Sequence, residues 1–146
     1  MTTGNKTLAS IVVLHFGVVM LHGYAHGHLK VGLSAWQRVF VTVVIVAAPL
    51  AALAFLGKNR RTLGGILLFL SMLGALLFGV TYHFLIPGSD NVLSMPRHGA
   101  SLGFVTTAGM LAVLEALGCV WGLRTVKRAL REDSAAAGHM GRRNER

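Results

Sequence analysis

Acidic residues are nearly missing from this chain: five Asp and Glu stand against fourteen Lys and Arg in 146 residues. Charged residues of both signs together make up 13%, where a soluble domain carries about 25%. Cysteine occurs once, at Cys119, which excludes an intramolecular disulfide and any thiolate metal motif, the Cys/His zinc spacings included. There is no internal repeat, no glycine-rich nucleotide loop and no catalytic Ser/His/Asp grouping.

What the chain has in quantity is apolar sequence: 53% of residues are hydrophobic and the mean hydropathy is +0.62. The apolar residues are bunched into four runs, Leu8 to about Gly27, Trp36 to Leu56, Leu63 to Leu85 and Gly99 to Leu123. A helix needs roughly 20 apolar residues to cross about 30 Å of hydrocarbon. Four such runs joined by short polar pieces leave almost nothing for a soluble surface. The sequence therefore predicts an all-α integral membrane protein, a four-transmembrane-helix bundle over residues 1–131, followed by a disordered basic tail over 132–146. Lys6 before the first run resembles the start of a signal peptide with Ala25 as a cleavage point. His15 inside the run, and a length near that of a full span, favour a retained helix.

Charge placement sets the expected orientation. Lys6, three basic residues of the second connection (Lys58, Arg60, Arg61) and seven after the fourth run fall on one side, against Lys30, Arg38 and Arg97 on the other. Positive residues stay in the cytoplasm, so both termini are expected inside an inner membrane. The net charge of +9 then reflects topology and not nucleic-acid binding. Arg124 to Arg131 extend the last helix with basic residues placed for anionic headgroups. The small-residue pairs Gly99/Gly103, Gly118/Gly122 and Ala75/Gly79 are read as helix-packing faces. Pro49, inside the second run, predicts a local kink.

Histidine carries the chemistry. His15, His22 and His26 recur at i, i+7 and i+11, which places them within roughly 40° of one another on a helix. Such a stripe belongs in the bundle interior, with Tyr24 on the opposite side. His22, His26 and His28 end the first run, His83 ends the third and His98 precedes the fourth, so all five are expected at one outward-facing level. The Pro87-Gly88-Ser89-Asp90-Asn91 run after His83 is a strong turn signal. Imidazole is costly in lipid and is the commonest transition-metal ligand. The set His22, His26, His28, His83 and His98 is therefore the candidate metal site, with His22, His26 and His83 at its heart. Imidazole suits zinc, copper, iron and nickel; Met95 would add a soft donor favouring copper, and Asp90 an oxygen. Haem b is the competing cofactor, held by His22 or His26 opposite His83. Met72 and Met110 are weak ligands for a second haem, so one site at most is expected.

Glu115 is the sole acidic residue within the four runs, on a face of small residues. It lies about as deep as His15, so a buried His15 and Glu115 pair is expected, as a clasp or as a proton relay.

The His22/His26 spacing is similar to the histidine boxes of membrane-bound desaturases and hydroxylases, but their HxxHH motifs are absent. A four-helix haem membrane protein is the nearer analogy. Three functions stay open: metal or haem binding in redox or metal handling; an accessory or scaffold subunit among other membrane subunits; and a small proton-coupled transporter acting as a homo-oligomer.

Overall fold

A computed structural model describes residues 3–95 and 99–144, with side chains placed for 6–95 and 99–135. Among these residues every regular element is a helix. They are α1 (Thr3–His28), α2 (Ala35–Phe40), the π-helical segment π1 (Val41–Ala47), α3 (Ala48–Gly57), α4 (Arg61–Val80), the π-helical segment π2 (Thr81–Leu85) and α5 (Ala100–Asn144). Four stretches are long and apolar enough to cross a membrane: Lys6–His28, Ala35–Gly57, Arg61–Leu85 and Ala100–Ala135. They coincide with the four runs read from the sequence. The second stretch is assembled from α2, π1 and α3, and the third from α4 and π2.

The wide turn of π1 lies directly before Pro49. Proline has no N–H to donate and its ring collides with the carbonyl four residues back. The chain accommodates it with five-residue hydrogen bonds, Ala48 N–H reaching Val43 O, so the expected kink takes the form of a π-turn. Connections are closed tightly. Ser34 and Gln37 form a reciprocal capping box at the start of α2. Lys30 (φ 54°) and Asn59 (φ 60°) take the left-handed conformation after α1 and α3. In each case the next N–H reaches back five residues, Val31 to His26 O at 3.0 Å and Arg60 to Phe55 O at 2.9 Å, which caps the helix.

In the bundle α4 lies against α5, α1 against α5, and α3 against α4, with a smaller α1–α3 contact closing the ring. Glycine explains the α4–α5 contact. A Cβ at Gly122 would stand 2.8 Å from the Phe69 backbone nitrogen, and one at Gly65 2.9 Å from Val126 Cγ2. Backbones meet there because no side chain intervenes. Gly99 and Gly103, read above as a packing pair, have open space where a Cβ would stand, so they form no such contact among the described residues.

The interior is layered along the axis. Leu8, Val12, Ala52, Leu56, Leu68 and Met72 fill one layer, and Val18, Val19, Ile45, Ala75 and Leu111 the next. Between them His15 and Glu115 meet, Nε2 to Oε1 at 3.3 Å, both buried. Beyond the second layer lie His22, His26 and His83. At the other end α5 continues unbroken to Asn144, so helical backbone runs through the segment that composition reads as a disordered tail. The start of that extension is tied to the first residue of α4 by Arg61 and Glu132, 2.9 Å apart.

Candidate metal centre

Three imidazoles converge at one end of the bundle, each brought by a different local device. His22 and His26 are one helical turn apart on α1. The cap after α1 bends the chain so that the Val31 carbonyl meets His26 Nδ1 at 3.2 Å. His83 sits in the middle of π2, whose wide turn closes with Ile86 N–H to Thr81 O at 2.8 Å. The loop after π2 then folds back over it. Val92 N–H donates to His83 O at 2.9 Å, and Asn91 staples the loop by donating to Ile86 O and accepting from Leu93 N–H. This return sets Asp90 on His83, its carbonyl 3.1 Å from Nδ1.

From α5, Thr107 meets His22 Nδ1 with Oγ1 at 2.8 Å. Phe104, fully buried, packs against the group with its ring 4.5, 4.9 and 5.3 Å from those of His22, His26 and His83. Each histidine offers a ring nitrogen, and those ligand atoms lie within 4.8 Å of one another. His22 Nε2 and His83 Nε2 are 3.2 Å apart.

Hydrogen bonding decides which nitrogens face inward. Val31 O and Asp90 O are carbonyls and only accept, so His26 and His83 donate from Nδ1. The Thr107 hydroxyl has one hydrogen and lies within reach of Gly103 O and Phe104 O, 2.8 and 3.0 Å away, so it accepts from His22 when that hydrogen stays on its own helix. Neutral His26 and His83 thus keep a lone pair on Nε2, and the 3.2 Å contact between His22 Nε2 and His83 Nε2 has His22 either donate to His83 or share an ion with it. Asp90 Oδ1 adds negative charge, 3.3 Å from His26 Nε2 and 3.3 Å from His83 Nδ1. It is out of line for a hydrogen bond with either, and so is a buried oxygen with no such partner. Burial works against the charge on Asp90, but the adjoining His83 ring, then His26 and His22, outweigh it and hold the carboxyl below its ordinary value.

A tetrahedral ion with bonds of about 2.0–2.1 Å to two imidazoles holds their nitrogens about 3.4 Å apart. The His22–His83 spacing of 3.2 Å is close to that, and the outer limit of the set, 4.8 Å, exceeds it by about 1.4 Å.

Comparison with protein-family models, with curated proteins and with solved structures finds no match to this chain. Function is therefore read from geometry alone.

Of the candidate residues, His22, His26 and His83 come together. His28 does not: two residues beyond His26 a helix has turned about 200°, and His28 is exposed, stacked on Tyr24 with ring centroids 6.0 Å apart. His98 lies outside the described residues. Met95 is half-buried and does not border the cavity beside the centre, so the donor set there is nitrogen and oxygen. Thr107 and Phe104 carry no signal in the sequence, where a threonine and a phenylalanine in an apolar run read as ordinary helix packing.

Directly beneath the centre is a cavity of about 150 Å³. All three histidines, Asp90 and Glu115 border it, which brings the deep pair and the outer group onto one space.

Proposed function

We propose that this chain is a multi-pass membrane protein that holds one divalent transition-metal ion through His22, His26 and His83. The observation that carries the reading is the convergence of three buried histidines whose ligand atoms lie within 4.8 Å of one another, each with its Nδ1 held by an oxygen of the surrounding chain. Oxygens placed in this way orient imidazoles on metals. The donor set is the three imidazole nitrogens, with Asp90 Oδ1 adding negative charge beside it, 3.3 Å from His83 Nδ1 and 3.3 Å from His26 Nε2. Such a set suits zinc, iron, nickel and copper, and copper(II) is bound most tightly in the general affinity order.

Haem b is the weaker reading. It needs two imidazoles on opposite faces of a planar macrocycle, whereas here three imidazoles and Phe104 are in mutual ring contact, which leaves no slot between His22 and His83.

The excess of basic residues at the Arg61 and Arg124 end supports an inner-membrane protein with both termini cytoplasmic. The metal centre then faces outward, where it meets ions before they enter the cell. Metal handling or a redox role suits that position. An accessory subunit of a larger membrane complex suits the short connections equally, and a metal-loaded protein that co-purifies with partners would combine the two.

The test is purification from membranes without chelators, followed by elemental analysis and an absorption spectrum. About one transition-metal ion per chain, lost in His22→Ala and His83→Ala, is the expected result. A Soret band would replace the ion by haem. Wild-type protein that remains metal-free after incubation with zinc or copper(II) would end the metal reading.

A further inference from the structure

The cavity beneath the centre has a definite chemical character. Its walls are apolar, including Val19, Val41, Ile45, Phe78 and Leu111. It exists because α4 and α5 present small residues to each other there: Ala75 and Gly79 on one, Ala108 and Ala112 on the other. Larger side chains at those four positions would fill it. Its polar atoms lie at two ends, the histidine group with Asp90 at one and Glu115 at the other. Glu115 turns Oε1 to His15, while Oε2 is the oxygen nearest Gly79. A methyl carbon at Gly79 would lie 3.7 Å from Glu115 Oε2 and 3.9 Å from His83 Cδ2. One small body at that point touches both ends at ordinary contact distance.

We propose that this cavity binds a small uncharged molecule of about benzene size, largely apolar and carrying a hydroxyl that donates to Glu115 Oε2, such as a phenol or a compact alcohol. Size follows from volume, since an apolar protein cavity of about 150 Å³ accommodates benzene. Charge is excluded because an ion cannot be desolvated among Val19, Ile45 and Phe78 without a partner, and Glu115 already faces His15. The hydroxyl is required because a buried carboxylate oxygen opening on an apolar space gains most from a donor. Bound in this way, the molecule lies against His83 and next to the ion held above it. The proposal stands on the cavity and on Glu115, so it does not depend on whether the metal is loaded.

The probe is 4-fluorophenol, followed by fluorine NMR on the full chain in nanodiscs, in metal-free and zinc-incubated samples. 4-Fluorotoluene serves as the analogue without a hydroxyl. Saturable binding of 4-fluorophenol is expected in both samples, with 4-fluorotoluene roughly tenfold weaker. Gly79→Ala places its methyl at the bridging point without a clash, and Ala112→Leu fills the space from α5. Each is expected to weaken 4-fluorophenol roughly tenfold or more while leaving zinc content unchanged. Zinc content on the same samples separates this proposal from the metal reading. Equal response of wild type and both variants, which is simple partition into lipid, would overturn the pocket, as would absence of saturable binding. Equal affinity for 4-fluorotoluene would overturn the assignment of the hydroxyl to Glu115.

Discussion

At His22 the ring is oriented by a residue eighty-five positions away. Thr107 holds Nδ1 at 2.8 Å and so turns Nε2 toward His83. Thr107→Val keeps the shape and removes the acceptor. Metal affinity should fall about 10–100-fold, measured by competition with a chelator, with helix content unchanged and with Thr107→Ser restoring binding. Protons compete for the same nitrogens. Ion retention should therefore fall as the medium is acidified, while Asp90, held below its ordinary value, keeps its charge to lower pH than an ordinary carboxyl. Its depressed carboxyl contributes stability present above its unfolded value and lost as pH drops through the folded one. His15 and Glu115 give a further contrast: His15→Leu removes the hydrogen-bond partner of the buried Glu115, at about 1–3 kcal/mol, and should lower thermal stability more than His15→Gln. Among these residues His22 and His26 are legible in the sequence because helical phase alone puts them on one face with His15. Thr107 is not, because its decisive hydrogen bond is to a chain segment that sequence spacing does not place. Asp90 is legible as an oxygen donor next to a turn, but its seat on His83 is not, since the return of that loop depends on Asn91 and Val92.

The α4–α5 contact shows how an element's stability rests on what it omits. At Gly122 an added Cβ meets the Phe69 backbone, whereas at Gly118 it meets the Met72 side chain, Cγ at 2.6 Å and Sδ at 2.9 Å. Backbone cannot yield locally, but methionine changes rotamer readily. Gly122→Ala should therefore lower the melting temperature in detergent more than Gly118→Ala, the overpacking cost being about 1–3 kcal/mol. The four long helices are legible because length and hydropathy are enough to mark them. Their π-turns are not, since a reading at 3.6 residues per turn has no place for the extra residue, and π2 is the segment that aims His83. Small-residue spacing is equally ambiguous without a partner helix: Gly118/Gly122 packs, Gly99/Gly103 faces open space, and Ala75/Gly79 divides between a fully buried alanine and a glycine on the cavity.

For the molecule as a whole, orientation is the testable matter. In a Cys119→Ala background, Ser89→Cys and Ser134→Cys place single thiols at opposite ends of the bundle. With both termini cytoplasmic, a membrane-impermeant maleimide should label position 89 in intact spheroplasts and position 134 only after lysis. Labelling of 134 alone would invert the topology. The order in which the helices lie beside one another was open from connection lengths, because short loops allow several rings of four, and only the packed side chains choose among them. The length of α5 reaches further. Its 45 residues span about 68 Å at 1.5 Å per residue, more than twice the hydrocarbon thickness. Thr107, Glu115 and the free end past Asp133 are thus points on one rigid shaft. A rotation or tilt of that one helix therefore moves Thr107 relative to His22 and Glu115 relative to His15 together, so the two polar contacts to α1 share a single support.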